Sequence, residues 1–287
     1  IDRIWHKLYR RFTGGGGHGG FVTTLLSGID IALWDIKGKV ANRPVYKLLG
    51  GFTDRVPVYI AGGYYEEGKG LEELAAEMEE SVSMGARAIK MKIGGAPINE
   101  DVERIRVVRE AVGPDVKVMV DANCAYRFYE AIEIARKTEK YDLYWFEEPI
   151  PYDEITGYAQ LTRELATPVQ LGENFYGPRA LYEAIEAKAG DYVMPDLMRI
   201  GGVTGWLRSA AIAGASGVPM STHLYPEVSA HLMRVTETAH WLEWQDWCNP
   251  ILTQPYTLEN GHLLVPDRPG TGINWNEDAV SQYLMET

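Results

Sequence analysis

Cysteine is nearly absent from this chain: Cys124 and Cys248 are the only two among 287 residues, and they stand far apart. Two thiols outside any Cys-x-x-Cys spacing exclude a disulfide scaffold and a cysteine zinc site, and they suit a reducing, cytoplasmic setting. Positive charge is also scarce, with 28 Lys and Arg against 40 Asp and Glu, a net charge of −12. No basic block is longer than Arg10-Arg11, so nucleic acid and an anionic membrane surface are poor partners. Long apolar runs are missing too, and the N-terminus carries no signal-peptide pattern.

What is present is alternation. Residues 1–12 place Ile1, Ile4, Trp5, Leu8 and Phe12 on one helical face. A second helix is predicted over 22–39, with Leu25, Leu26, Ile29, Ala32, Leu33 and Ile36 as its apolar side. Between the two, Thr13 to Gly20 is a glycine-rich loop in which His18 reads as solvated. Its glycine spacing matches a dinucleotide fingerprint, but the preceding strand that fingerprint needs is missing. Pro44 opens a short helix that Gly50-Gly51 ends. From residue 56 strands are predicted at 56–61, 87–92, 116–121, 142–147, 168–172, 191–195, 217–221 and 239–244, each but the last followed by a helix. Such alternation implies parallel pairing, and eight repeats in a chain of this length favour a closed α/β barrel, which takes roughly 250 residues. The turn-rich tail after Asn249 is expected to fold back on the N-terminal helices.

In a parallel barrel the site lies at the carboxyl ends of the strands. Those ends carry Lys90 and Lys92, Asp121 and Asn123, Glu147 and Glu148, Glu173 and Asn174, Asp196, His223 and Glu243. Asp121, Glu147 and Glu173 follow one another at intervals of 26 residues and offer three hard oxygen ligands. That donor set suits Mg²⁺, with Mn²⁺ as a substitute, and disfavours zinc. Each acid alone reads equally well as a solvated strand end; the spaced trio does not. Glu148 and Asn123 are expected to orient the ligands from behind.

Lys90 and Lys92 alternate with Met91 and so face the same way, into the barrel mouth. Two close ammonium groups depress each other, which would suit a lysine to act as a general base. Two weaker readings are a lysine–acid structural network and a Schiff-base lysine, whose chemistry needs no metal and leaves the acid trio unexplained. His223 and Asp196 end neighbouring strands, where the carboxylate would fix the imidazole tautomer and raise its basicity. Glu243, if its proton is held by acidic and apolar surroundings, could donate a hydrogen bond to a developing enolate. His231, His240 and His262 show no such constellation and read as structural. Together these groups suit abstraction of a proton α to a carboxylate.

These segments resemble the enolase superfamily and, within it, the mandelate racemase subgroup. The likeness is carried by Lys90-Met91-Lys92-Ile93-Gly94, Val120-Asp121-Ala122-Asn123, Trp145-Phe146-Glu147-Glu148-Pro149 and Gly172-Glu173-Asn174, and further by Met194-Pro195-Asp196, Ser221-Thr222-His223-Leu224 and His240-Trp241-Leu242-Glu243. The resemblance implies a (β/α)7β barrel over 56–249, with 1–55 as the helical remainder of an α+β cap and 250–287 packing back on it. It implies Mg²⁺ on Asp121, Glu147 and Glu173, Lys92 as one base, and His223 paired with Asp196 as the other. It also implies that Lys90 neutralises the substrate carboxylate and that Glu243 hydrogen bonds to it. Family members carry a longer N-terminal segment, including a loop over the substrate, that is expected to be missing here.

The resemblance implies a small hydroxy-carboxylate as substrate, and a homo-oligomer is expected. The subgroup both dehydrates sugar acids and racemises α-hydroxy acids of the mandelate kind. Tyr64, Tyr65, Asn123, Tyr225 and Gln245 around the mouth form a polar set, which favours a sugar acid; Tyr65 and Asn123 are the expected contacts. A barrel that binds metal or sugar acid without turnover is the alternative of another class, and the full ring of bases argues against it.

Overall fold

Proline and glycine cut this chain into short elements, and the computed structural model describes them over residues 1–13, 19–51, 53 and 55–284. The expected glycine-rich loop with His18 therefore lies outside the described residues, apart from its edges. Three helices come first, α1 (Asp2–Thr13), α2 (Gly20–Val40) and α3 (Val45–Leu48). The alternation follows: β1 (Arg55–Gly62), α4 (Leu71–Ser83), β2 (Ala88–Lys92), α5 (Ile98–Val112), β3 (Lys117–Asp121) and α6 (Phe128–Thr138). It continues through β4 (Leu143–Glu147), α7 (Ile155–Glu164), β5 (Val169–Leu171), α8 (Pro178–Glu186), β6 (Tyr192–Val193), α9 (Gly202–Ser216), α10 (Pro226–Met233) and β7 (Leu242–Trp244).

Parallel pairing runs from β1 through β2, β3, β4 and β5 to β6, and β7 pairs in parallel with the free side of β1. Single bridges join Met220 to Val193 and to Ala239, which closes the ring. The strand expected over 217–221 is thus reduced to a bridge. Gly217 turns with φ +68°, and Pro219 has no N–H to give to a ladder.

The period-2 alternation of the strands sorts their side chains. On β2, Ile89 and Met91 face outward into the apolar layer shared with Leu74, Met78, Ile105 and Val108 of α4 and α5. Ala88 faces inward and joins Tyr59, Met119 and Trp145 in a small buried cluster that plugs the barrel. Burial of each large apolar side chain in these layers contributes about 1.5–3 kcal/mol before conformational entropy is set against it. Register then aligns the next inward layer, Lys92 beside Asp121 and Asp121 beside Glu147.

One expectation about the flanks needs correction. The buried side of α2 is Thr23, Leu26, Ser27, Asp30 and Gly38, whereas Leu25, Ala32 and Ile36 are exposed. Polar residues win that face because Asp30 supplies hydrogen bonds to the start of α9: it accepts from the Thr204 N–H at 2.8 Å and the Thr204 hydroxyl at 2.7 Å. The tail does fold back on the early helices, with the Thr271 N–H donating to Asp35 at 2.8 Å. It also adds a hairpin, β8 (Leu258–Glu259) and β9 (His262–Leu264), that pairs antiparallel with β1 before α11 (Glu277–Ser281). Asn260 and Gly261, both at positive φ, make its two-residue turn. Among the described residues no helix is long and apolar enough to cross a membrane.

Candidate active site

Ligand oxygens of Asp121, Glu147 and Glu173 lie within 4.8 Å of one another, and all three residues are buried. Asp121 and Glu147 end β3 and β4, and Glu173 follows β5 by two residues. Glu148, next to Glu147 in sequence, takes the left-handed conformation with φ +36°. That twist sends it away from Glu147 into a separate buried niche. There it accepts from Asn174 Nδ2 at 2.6 Å, the Gly172 N–H at 3.3 Å and Cys124 Sγ at 3.2 Å.

The trio is already positioned by donors. Trp145 Nε1 donates to Glu147 Oε2 at 3.0 Å, and the Asn123 N–H donates to Asp121 Oδ1 at 2.9 Å. Arg199 holds the Glu173 backbone, donating to its carbonyl and to Asn174 Oδ1, both at 2.9 Å. Glu173 Oε2 is buried and has no hydrogen-bond partner. A buried carboxylate oxygen without a hydrogen bond, in a cluster with two further carboxylates and no sulfur among the donors, fits a hard divalent cation. Asp121, Glu147 and Glu173 would hold it.

Two cationic or basic groups flank the trio from opposite sides. Lys92 Nζ lies 2.5 Å from Asp121 Oδ2 and donates to Asn123 Oδ1 at 2.6 Å. His223 Nε2 lies 3.4 Å from Glu173 Oε2, while its Nδ1 is 2.7 Å from Asp196 Oδ2. The Asp196–His223 pair expected from the sequence is thus in place, and a backbone bridge joins the same two residues. Burial drives the imidazole pKa down, but the Asp196 hydrogen bond and the charges of Glu173 and Glu243 outweigh it and hold it above the ordinary value.

Lys90 occupies a deeper layer than Lys92. It is fully buried, with Nζ 2.5 Å from Glu147 Oε1, 2.9 Å from Glu243 Oε1 and 3.3 Å from Asp121 Oδ2, above the Tyr59 ring. The expectation of lysines with depressed pKa values is not met. Burial lowers both, and Lys90 lowers Lys92 as the like-charge reasoning required. Glu147, Glu243 and Asp121 more than offset this for Lys90, as Asp121 and Glu147 do for Lys92, and both lysines sit above their ordinary value. Conversely burial, then Asp121, pushes Glu147 well up; Asp121 itself is held low by Lys90 and Lys92 against the effect of burial.

Glu243 departs from expectation as well. Burial raises its pKa, yet Lys90 and His223 bring the net below the ordinary carboxylate value, so it is an ionised acceptor rather than a protonated donor. Its Oε2 accepts from the Leu224 N–H at 2.8 Å. Tyr65 is at the mouth as expected, but its hydroxyl donates to the buried Asp101 and is not free for a substrate. Tyr64, Tyr65, Lys92 and Asn123 line a cavity of about 460 Å³ beside the trio. Gln245 Nε2 donates to the Tyr64 hydroxyl at 3.2 Å across its rim. His240 and His231 are structural, bonded to Tyr144 at 2.7 Å and to the Thr271 carbonyl at 2.9 Å.

Sequence reading missed Asp101, Arg104, Tyr126 and Arg199. An acid in the first turn of a helix reads as an ordinary solvated helix start, and none of the four ends a strand.

The family model described as Enolase C-terminal domain-like matches residues 73–279, and that of the mandelate racemase / muconate lactonizing enzyme N-terminal domain matches residues 1–50. An arabinonate dehydratase of Saccharolobus solfataricus is 39% identical, over 100% of this chain and 79% of its own length. An L-talarate/galactarate dehydratase of Salmonella typhimurium is 36% identical, over 97% of this chain and 70% of its own. A crystal structure of an enolase from alpha pretobacterium bal199 with bound Mg is similar at TM-score 0.93 and 46% identity, covering 99% of this chain and 78% of that one.

Proposed function

The chain belongs to the enolase superfamily, in its mandelate racemase / muconate lactonizing enzyme family, and from that membership we propose that it dehydrates a sugar acid to a 2-keto-3-deoxy acid with Mg²⁺ as cofactor. It is an enzyme, a lyase or an isomerase, and takes a small-molecule substrate. One observation carries the finer reading: Lys92 and the His223–Asp196 pair reach the two ends of one buried carboxylate trio, at Asp121 and at Glu173.

A divalent cation on Asp121, Glu147 and Glu173 would supply positive charge against the substrate carboxylate and the enediolate, and would offset the carboxylate charge that keeps Lys92 protonated. Lys92 removes the α-proton, leaving the electron pair on the substrate as an enediolate. His223, its proton held by Asp196 and the nearby acids, hands that proton to the β-hydroxyl, which departs as water. The enol that remains takes a proton at the β-carbon and becomes the 2-keto-3-deoxy acid. Asn123 holds Lys92 in place throughout, and Lys90 offsets charge at Glu147 and Glu243 below. Mn²⁺ would substitute for Mg²⁺.

The polar mouth of Tyr64, Gln245 and Asn123 and the dehydratases among the relatives support a polyhydroxylated acid. Residues 1–55 read as part of a cap, 56–249 as the barrel and 250–287 as the segment that returns to the cap; the match over 1–50 supports the first of these. Cytoplasmic location and a homo-oligomer belong to the same reading. The unpaired Cys124 and Cys248 support the first, and exposed Phe21, Leu25, Ile36 and Val40 on α2 support the second.

The test is incubation with Mg²⁺ and a panel of aldonic and aldaric acids, arabinonate and galactarate among them, with assay for keto acid. At least one acid should yield it. Racemisation of mandelate, with no keto acid from any panel member, would reverse the reading.

A further inference from the structure

Outside the barrel and behind the Lys92 side of the cavity, one buried carboxylate gathers donors from three loops. Asp101, in the first turn of α5, is wholly buried. Its Oδ2 accepts from the Gly94 N–H at 2.8 Å and the Tyr126 hydroxyl at 3.0 Å, and its Oδ1 accepts from the Tyr65 hydroxyl. One turn on, Arg104 Nη2 donates to the Gly63 carbonyl at 2.7 Å and reaches the Lys92 carbonyl at 3.4 Å, while its guanidinium covers the Tyr65 ring at 4.0 Å. The loops after β1, β2 and β3 are thereby tied to a single helix turn. They press together closely. Gly94 has φ +88°, and a Cβ there would lie 2.6 Å from that of Ala125.

These loops carry Tyr64 and Asn123, and one of them starts directly after Lys92; the three residues line one wall of the cavity, beside Asp121. We propose that Asp101 is a positioning residue for the reaction: it fixes this wall so that Lys92 meets the substrate carbon on line. The proposal rests on the function proposed above. A reacting group displaced by about 1 Å can lose about 100-fold in rate, so a clamp of this kind acts on kcat without touching substrate. A first-turn acid serving only the helix would point to solvent and the helix N–H groups. Asp101 instead gives its acceptors to three other segments.

Asp101→Asn keeps the shape; with its amide oxygen on the fixed Gly94 N–H, its NH2 takes the place of Oδ1, where the Tyr65 proton loses its acceptor and Arg104 Nε, 3.7 Å from that oxygen, faces an N–H. With Mg²⁺ and no substrate, amide hydrogen exchange in segments 63–66, 92–96 and 123–127 should rise about tenfold while that of β5 and β6 holds steady. On arabinonate or galactarate, whichever the parent protein converts, kcat should fall about 10- to 100-fold with little change in KM. Asp101→Asn combined with Tyr65→Phe removes the unaccepted Tyr65 proton, though with it the hydroxyl that accepts from the Gly95 N–H at 3.1 Å, and should regain part of that loss. Unchanged exchange in the three segments overturns the proposal, as does a kcat within about twofold of the parent. A loss of activity that merely follows the melting temperature and is not relieved by Tyr65→Phe overturns it too. If the parent converts neither acid, the proposed function fails separately, and the exchange pattern still decides whether Asp101 holds the wall.

Discussion

Lys90 and Lys92 leave the same face of β2 two residues apart, yet they meet different surroundings. Lys90 ends among Glu147, Glu243 and Asp121 with no access to solvent, whereas Lys92 opens on the cavity. Depth in the barrel separates a charge that holds carboxylates together from one that can reach a substrate. The same contrast appears among the histidines. His223 is raised by carboxylate neighbours, while burial first and foremost drives His231 and His240 down to about 4. Their unfolded value is near 6.5, so from there down to about 4 the unfolded chain binds protons that the native state refuses. That stability is present in full above pH 6.5 and is lost as pH falls towards 4. Melting temperature followed over this range should drop, and replacing both histidines with glutamine should flatten the slope. An equally steep slope in the double variant would refute this assignment.

Among the elements, α2 and α9 illustrate how a polar contact can override an apolar stripe. Asp30 is buried on α2 and fills the N–H and hydroxyl demand of Thr204, and Gly202 beside it has φ +69° with no room for a Cβ against Asp30. Asp30→Ala leaves those donors unpaired and should cost about 1–3 kcal/mol, read as a lower urea midpoint. A midpoint equal to the parent's would show that α2 docks on its apolar contacts alone. Helices such as 128–138 and 155–164 were legible in the sequence because their apolar period, turn residues and boundaries agree. The face of α2 was not, since its partner lies 174 residues away and no local pattern announces it. The β8–β9 hairpin was missed for a related reason. Its strands are two and three residues long, too short to show alternation, and only Asn260-Gly261 marks the turn.

At the scale of the whole molecule, the site was more legible than the fold's margins. A parallel barrel sends every strand end to one mouth, so Asp121, Glu147, Glu173, Lys92, Asp196 and His223 could be collected by reading strand ends alone. Protonation was not legible. The charge of Glu243 and of the two lysines depends on distances across the ring that strand order does not supply, and both expectations failed for that reason. Nor was the support behind the mouth, where Asp101 and Arg104 act from a helix.

The proposed reaction sets Lys92 as base and His223 as acid on either side of the substrate, above the divalent-cation trio. Its most direct measurement is the wash-in of deuterium at the α-carbon of galactarate or arabinonate in D₂O with Mg²⁺, compared among the parent protein, Lys92→Ala and His223→Asn. Exchange or dehydration should proceed in the parent and stop with chelator; Lys92→Ala should lower both by about 10²-fold or more, and His223→Asn should lower dehydration by as much. Undiminished exchange in Lys92→Ala, or exchange indifferent to chelator, would contradict the account.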